Sequence, residues 1–256
     1  MNKLKTIEEK WNGTQYESQI KLICFDIGNL SEVAKGMKAI KDVLFDTVIL
    51  NAGTMFPSTV HVDSRPLSHI EETIKSNVLG HYVITRYLIL NKPTDHHIHF
   101  VCVSSKLIAH FNRSIRRFPS SSIQMNQYFA KNQYFADGWR SYICSKVCII
   151  LLSEYLNGIK GCTSVAIHPG MARTSMTSNI PKWQQIVFGI LFRLFGSKMD
   201  SEFECAQRVT TVAMDRRSLP FGQWYNLGVK DVPFVLNEEQ KKAFVTFCHE
   251  ISKPYI

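Results

Sequence analysis

Tyr142 and Lys146 stand four residues apart in Tyr142-Ile143-Cys144-Ser145-Lys146, and a serine pair, Ser104-Ser105, closes an apolar run upstream. Positions i and i+4 share one face of a helix, so the phenol and the ammonium would sit side by side. An ammonium in that place favours the phenolate and pulls the tyrosine pKa down from about 10 toward working pH. A phenol tuned in this way can exchange a proton with a substrate oxygen. The pair by itself fits a packed ring beside a solvated lysine equally well, so the reading depends on its setting.

The elements able to position these groups recur along the chain. Apolar, strand-like runs occupy residues 20–25, 47–50, 98–103 and 163–167, with a last strand expected at 222–227. Helical patterns fall between and after them. One covers 30–41, with Ser31 as its N-cap and Val33, Met37, Ile40 and Leu44 on one side. A long helix within 67–90 carries Ile70, Ile74, Asn77, Val78 and Tyr82 in register. The strongest, 142–157, turns Val147, Ile150, Leu151 and Tyr155 to a core, and further helices cover 202–214 and 237–251. Apolar strands alternating with amphipathic helices predict an α/β fold with a parallel sheet covered on both faces. Ligands of such sheets gather at the carboxyl ends of the strands. Asp26, Asn51-Ala52-Gly53, Ser104-Ser105 and Pro169-Gly170 all lie at such ends, which predicts one connected site.

With 256 residues and 45% hydrophobic content, the chain suits a single domain spanning 1–256. Its net charge is +9, but the basic residues are dispersed. The one tight cluster, Arg113, Arg116 and Arg117, reads as a solvated loop, and no basic face for nucleic acid emerges. Seven scattered cysteines without a C-x-x-C read as buried free thiols of a reducing, cytoplasmic compartment. The nine histidines make no metal pattern, so no metal is expected. No run of about 18 apolar residues could span a bilayer. Residues 183–195 come closest, with Trp183, Ile186, Val187, Ile190, Leu191, Leu194 and Phe195. That stretch could lie on the cytosolic face of a membrane as a peripheral contact. Neither Ser104 nor Ser105 sits in the G-x-S-x-G of a serine hydrolase.

In order, and mostly in spacing, Asn51-Ala52-Gly53, Asn77, Ser105, Tyr142, Lys146 and Pro169-Gly170 resemble the short-chain dehydrogenase/reductases, over about residues 22–213. Asn77-Val78-Leu79-Gly80-His81 and His168-Pro169-Gly170 with Thr174 look like the retinol dehydrogenase and WW-domain-oxidoreductase-like branch. The resemblance implies a Rossmann-like, doubly wound sheet and a dinucleotide, NADP or NAD, with the branch leaning to NADP. It implies that Tyr142 is the general acid/base, that Lys146 lowers its pKa and holds the nicotinamide ribose, and that Ser105 orients the substrate oxygen, with Ser104 as second choice. Asn77 would hold a water joining Lys146 to solvent. Asp26 and Ile27 would meet the adenine, Asn51, Ala52 and Gly53 would let the backbone approach the cofactor, and Pro169, Gly170 and Thr174 would pin the nicotinamide amide. The cofactor would carry the hydride and the protein would orient it. Family members often dimerise through the helices corresponding to those of Asn77 and Tyr142, so a homodimer is expected.

The chain departs from that pattern at its start. The family opens with a strand, a glycine-rich turn and a helix that cradle the pyrophosphate. The residues before Ile20 hold one glycine, Gly13, and no G-x-x-x-G-x-G. The expected fold therefore lacks the family's first strand, glycine-rich loop and second strand. Two missing strands, each about 4.8 Å wide, open a gap that backbone hydrogen bonds do not cross. Either the strands ending at Asp26 and Asn51 pair directly, or the chain is a truncated product, the reading preferred here. The interval from Ser105 to Tyr142 is long for the family, and residues 126–134 are expected near the substrate mouth. Residues 183–195 correspond to the substrate lid, and their apolar character suits a lipophilic alcohol or carbonyl such as a retinoid, steroid or long-chain aldehyde. A second reading is a catalytically inactive chain that binds no dinucleotide and acts through protein contacts or has no function.

Overall fold

The computed structural model describes residues 6, 9–55, 69–111, 118–130, 138–171, 200–219 and 223–256. Five strands form one sheet: β1 (Thr47–Leu50), β2 (Ile98–Val103), β3 (Cys162–His168), β4 (Gln223–Asn226) and β5 (Val229–Asp231). Their spatial order is their chain order, all parallel except β5, which returns antiparallel beside β4. Among the described residues, α-helices accompany them. These are α1 (Leu30–Lys38), α2, α3 (Ser122–Tyr128), α4 (Gly138–Asn157), α5 (Glu202–Asp215) and α6 (Glu238–Ser252). Helix α2 runs from Glu72–Ile74 through a π-helical turn, Lys75–Leu79, into Gly80–Asn91.

The period-two alternation of the strands builds the two faces. Phe100, Cys102 and Ala166 point into the larger core, with residues of α1, α2, α4 and α6. Val101, Val103, Val165 and Ile167 point the other way, onto Val209, Val212 and Ala213 of α5. The expected α/β architecture is thus present, with a mostly parallel sheet covered on both sides.

Helix α4 is buried nearly all round, with every residue from 144 to 153 inside. A helix apolar on all sides needs cover on all sides. The sheet supplies one side, and α6 brings Phe244, Phe247, Cys248 and Ile251 to the rest of this core. The long stretch after Ser105 contributes here too. Phe118, Met125 and Phe129 are buried, the Phe129 ring lies 5.2 Å from that of Phe247, and Gln240 Nε2 donates to the Phe118 carbonyl at 2.6 Å. The Glu71 amide donates to the Phe129 carbonyl at 2.9 Å. Residues 126–130, expected at the substrate mouth, therefore belong to a packed layer under α6, and 131–134 lie outside the described residues.

Several local expectations change. The run at 20–25 forms no strand: Ile20 and Leu22 are 36% and 37% exposed, and no ladder includes them. An apolar run becomes a strand only beside a partner that takes its N–H and C=O groups. Among the described residues the sheet ends at β1, which does not pair with residues 20–25. What holds the run is the Phe25 ring, set against Gly36 of α1. Asn29, not Ser31, caps α1, accepting the Glu32 amide at 3.3 Å. That helix stops at Lys38, which leaves Leu44 57% exposed. Of the seven free cysteines, Cys24 is exposed and the other six are buried. Sequence patterning also missed the short α3 and β5.

Gly80 of α2 lies against the backbone of Ile27, and a methyl group there would collide with the Ile27 carbonyl. Gly80→Ala should destabilise the protein by about 1–3 kcal/mol, outweighing the roughly 1 kcal/mol that alanine gains over glycine in a helix. Denaturant unfolding checks this, and an unchanged midpoint would contradict the packing.

Candidate active site

Three parallel strands deliver the site. β1 ends in Asn51-Ala52-Gly53, β2 in Ser104-Ser105, and β3 in Pro169-Gly170. The one-residue offset between Ser104 and Ser105 separates their tasks. Ser104 donates its hydroxyl to the Lys146 carbonyl at 2.8 Å and so ties β2 to α4. Ser105 Oγ accepts the Leu107 amide at 3.3 Å and lies near enough to the Tyr142 phenol to pull its pKa down.

Asn77 is fully buried at the centre of the π-helical turn, where the widened helix re-aims its side chain. Its Oδ1 accepts the Thr54 amide at 2.7 Å, and its Nδ2 donates to the Thr54 carbonyl and to Ser145 Oγ, each at 2.9 Å. Ser145 in turn donates to the Tyr142 carbonyl at 2.7 Å. One amide thus joins the loop after β1, helix α2, and the turn of α4 that carries Tyr142 and Lys146. Its main-chain carbonyl accepts His81 Nδ1 at 3.0 Å. A carbonyl only accepts, so the His81 proton is on Nδ1. Burial, with Lys146 nearby, lowers the His81 pKa to about 3 and keeps the ring neutral. The structure therefore gives Asn77 a positioning task beyond the water-holding one that the resemblance implies.

Lys146 is 2% exposed, and its Nζ donates to the Val103 carbonyl at 2.9 Å, with the Tyr142 ring centroid 5.6 Å away. Gly53 leaves the space in front of it open: a Cβ there would stand 3.1 Å from Asn77 Oδ1 and 3.6 Å from Lys146 Nζ. Burial lowers the Lys146 pKa to about 8. Burial also pushes the Tyr142 phenol up to about 12, against a smaller downward pull from Ser105. The expected lowering of the tyrosine by the ammonium is absent. The ammonium is spent on the strand carbonyl, and a phenol that is 7% exposed loses more to desolvation than its hydroxyl neighbour returns.

The remaining predicted residues divide. Asn51 and Ala52 are exposed and Gly53 half-buried at the mouth of this site. Asp26 Oδ1 accepts the Gly28 amide at 2.8 Å and the Asp26 amide donates to Glu32, so its contacts shape the turn into α1. Ile27 rests on Gly80, one turn along α2 from Asn77. Pro169 and Gly170 sit beside Ser104, whose amide donates to the Ile167 carbonyl at 2.7 Å. Thr174 and residues 183–195 lie outside the described residues.

Asp200 and Arg208, which sequence reading did not single out, hold the chain after Gly170. Arg208 Nη1 donates to the Pro169 carbonyl at 2.8 Å and Nη2 to Asp200 Oδ1 at 2.6 Å. Asp200 Oδ2 accepts the Met171 amide at 2.9 Å, and the Asp200 amide donates back to the Met171 carbonyl at 3.0 Å. No sequence signal announces this contact, since 28 residues separate Met171 from Asp200 in the chain. His81 and Ser145 could have been found, because they lie at helical spacing from Asn77 and Tyr142. Among the described residues, no cluster of His, Cys, Asp or Glu could hold a metal ion.

No family model matches the sequence, and no curated protein does. Solved structures do resemble the fold. Salutaridine reductase from Papaver somniferum aligns with a TM-score of 0.57 and 17% identity, over 82% of this chain and 83% of its own. A short-chain dehydrogenase from Streptomyces avermitilis aligns with a TM-score of 0.54 and 15% identity, over 98% and 82%. An uncharacterised protein from Mycobacterium paratuberculosis gives 0.57 and 18%, over 98% and 81%. The chain shares with these structures a Rossmann-like α/β fold. Within that fold, Tyr142, Lys146 and Ser105 meet at the carboxyl ends of the strands, where ligands of open α/β sheets bind.

Lys146 generates a pH signature. Its pKa is about 8 in the folded protein against 10.5 when unperturbed, so between those values the unfolded chain holds more protons. Stability contributed by this group therefore rises with pH across that window. The unfolding free energy of the wild type relative to Lys146→Met should shift in favour of the wild type as pH rises from 8 to 10.5. A pH-independent difference would mean that the ammonium is not desolvated.

Proposed function

We propose that the chain is an oxidoreductase of the short-chain dehydrogenase/reductase class, acting on a lipophilic alcohol or carbonyl with NADP or NAD. The observation that carries this is the Ser105-Tyr142-Lys146 group assembled beside Gly53 and Asn77 at the strand ends. Of the proteins that share the fold, one is named a reductase and one a short-chain dehydrogenase.

The residues fit the nicotinamide half of a dinucleotide. Lys146 carries the ammonium for the ribose, Gly53 leaves a space that a Cβ would fill, and Pro169-Gly170 follows β3, the strand beside β2. When bound, the nicotinamide ring supplies or accepts the hydride. In the direction of carbonyl reduction, Ser105 hydrogen-bonds the substrate oxygen and Tyr142 gives it the phenolic proton as the carbonyl carbon gains hydride. The products are the alcohol and a phenolate, which takes a proton back from solvent. A phenol held at about 12 keeps its proton at neutral pH, the protonation state that carbonyl reduction needs. For oxidation, Lys146 would have to leave the Val103 carbonyl and stabilise the phenolate.

The lipophilic substrate and a peripheral membrane contact rest on the apolar residues 183–195. Among the described residues, no helix is long and apolar enough to cross a membrane. A homodimer through α2 and α4, the helices of Asn77 and Tyr142, rests on the resemblance alone. The likeness to the retinol dehydrogenase branch and the choice of NADP rest on the sequence motifs.

A second reading has one observation in its favour. Among the described residues, β1 is the edge of the sheet and no glycine-rich turn precedes it. A truncated family member would lack the pyrophosphate cradle and would act, if at all, through protein contacts. Titrating the purified 256-residue chain with NADPH and NADH separates the two. Saturable binding is expected, and a folded protein that binds neither would leave only the second reading. With bound cofactor and an aldehyde panel, Tyr142→Phe should lose about a hundredfold or more of turnover while keeping cofactor affinity. Normal turnover in that variant would remove Tyr142 from the acid/base role.

A further inference from the structure

We propose that Asp200 and Arg208 are positioning residues, a two-residue clamp that sets the Pro169–Met171 turn against the nicotinamide end of the site. This rests on reading that site as one for a dinucleotide. The clamp is a closed circuit of hydrogen bonds. Arg208 holds the Pro169 carbonyl with one guanidinium nitrogen and Asp200 with the other. Asp200 holds the Met171 amide with its second carboxylate oxygen and the Met171 carbonyl with its own amide. The backbone groups on both sides of Gly170 are therefore fixed from one direction, by residues before and within α5.

Three features argue for position over stability. The ion pair is about a quarter exposed on each side, a setting in which such pairs add little to folding. Gly170 has φ +123°, and a side chain there would collide with both Arg208 and Asp200, so the turn and the clamp fit only each other. The fork of Arg208 spans two acceptors at once, which a lysine ammonium does not reproduce with the same geometry. The turn is also tied to the site: β2 and β3 run in register up to Val103 and Ile167, the Ser104 amide donates to the Ile167 carbonyl at 2.7 Å, and Ser105 follows. The arginine keeps the Asp200 carboxyl ionised, at a pKa of about 2, so the clamp does not open in the physiological pH range.

The test compares the wild type with Asp200→Ala and Arg208→Lys in two assays. Calorimetric titration with NADPH, NADH and ADP-ribose, which lacks the nicotinamide ring, reads the site. Hydrogen exchange at the Met171 amide reads the clamp without any ligand. Expected are faster exchange at Met171 in Asp200→Ala, and dinucleotide binding weakened by about tenfold in both variants, since small misplacements at a site are costly. ADP-ribose affinity and the melting temperature should stay near wild type. Equal weakening of dinucleotide and ADP-ribose together with a lower melting temperature would make the pair structural and overturn the proposal. So would wild-type dinucleotide affinity in both variants. If the wild type itself binds none of the three ligands, the dinucleotide reading falls. Met171 exchange then separately decides the clamp, and unchanged exchange in Asp200→Ala would show that none exists.

Discussion

The Asn77 side chain uses both ends of its amide inside the protein, and the rest of the site depends on that. Buried amide groups left unpaired are costly, so three hydrogen bonds to Thr54 and Ser145 fix the distance between α2, the loop after β1, and α4. The π-helical turn supplies the reach. Gly53 can then lie close to Lys146, and Tyr142 is held at the level of Ser105. The site is a consequence of packing three elements around one polar side chain more than of any single catalytic group.

The electrostatics follow from the same dryness. Burial disfavours charge on three groups around Asn77: it raises the Tyr142 phenol and lowers Lys146 and His81. The protein thus presents a neutral phenol and a weakened ammonium that is turned toward the Val103 carbonyl. Such a site has its proton donor in place and keeps its cation bound to the backbone until something more anionic than a carbonyl offers itself.

Much of this was legible in the chain, for identifiable reasons. β2 was expected at 98–103 and found there, because a short apolar run buried on both faces needs only its own residues to be recognised. The helix carrying Tyr142 and Lys146 announced itself by periodicity, and its spacing alone put both side chains on one face. Residues 20–25 looked equally strand-like, but a strand is a relation between two segments, and no partner lies beside them. The Tyr142 shift was misjudged because spacing says that Lys146 is near, not where its ammonium points. Asp200 and Arg208 reach their partners across a long stretch of chain, a contact that no local pattern encodes.

The two rims of the sheet differ. On one side the chain doubles back from β4 into the three-residue β5, whose residues are all exposed. On the other, among the described residues, β1 has a ladder partner on one flank only, and Ile49 is 44% exposed. Unpaired strand edges are templates for other chains, and natural sheets keep them short or charged. β1 has four residues, and a net charge of +9 makes copies repel one another in solution. Colloidal behaviour is therefore governed by ionic strength: added salt screens that repulsion and brings the raw rims of neighbouring molecules within reach of each other.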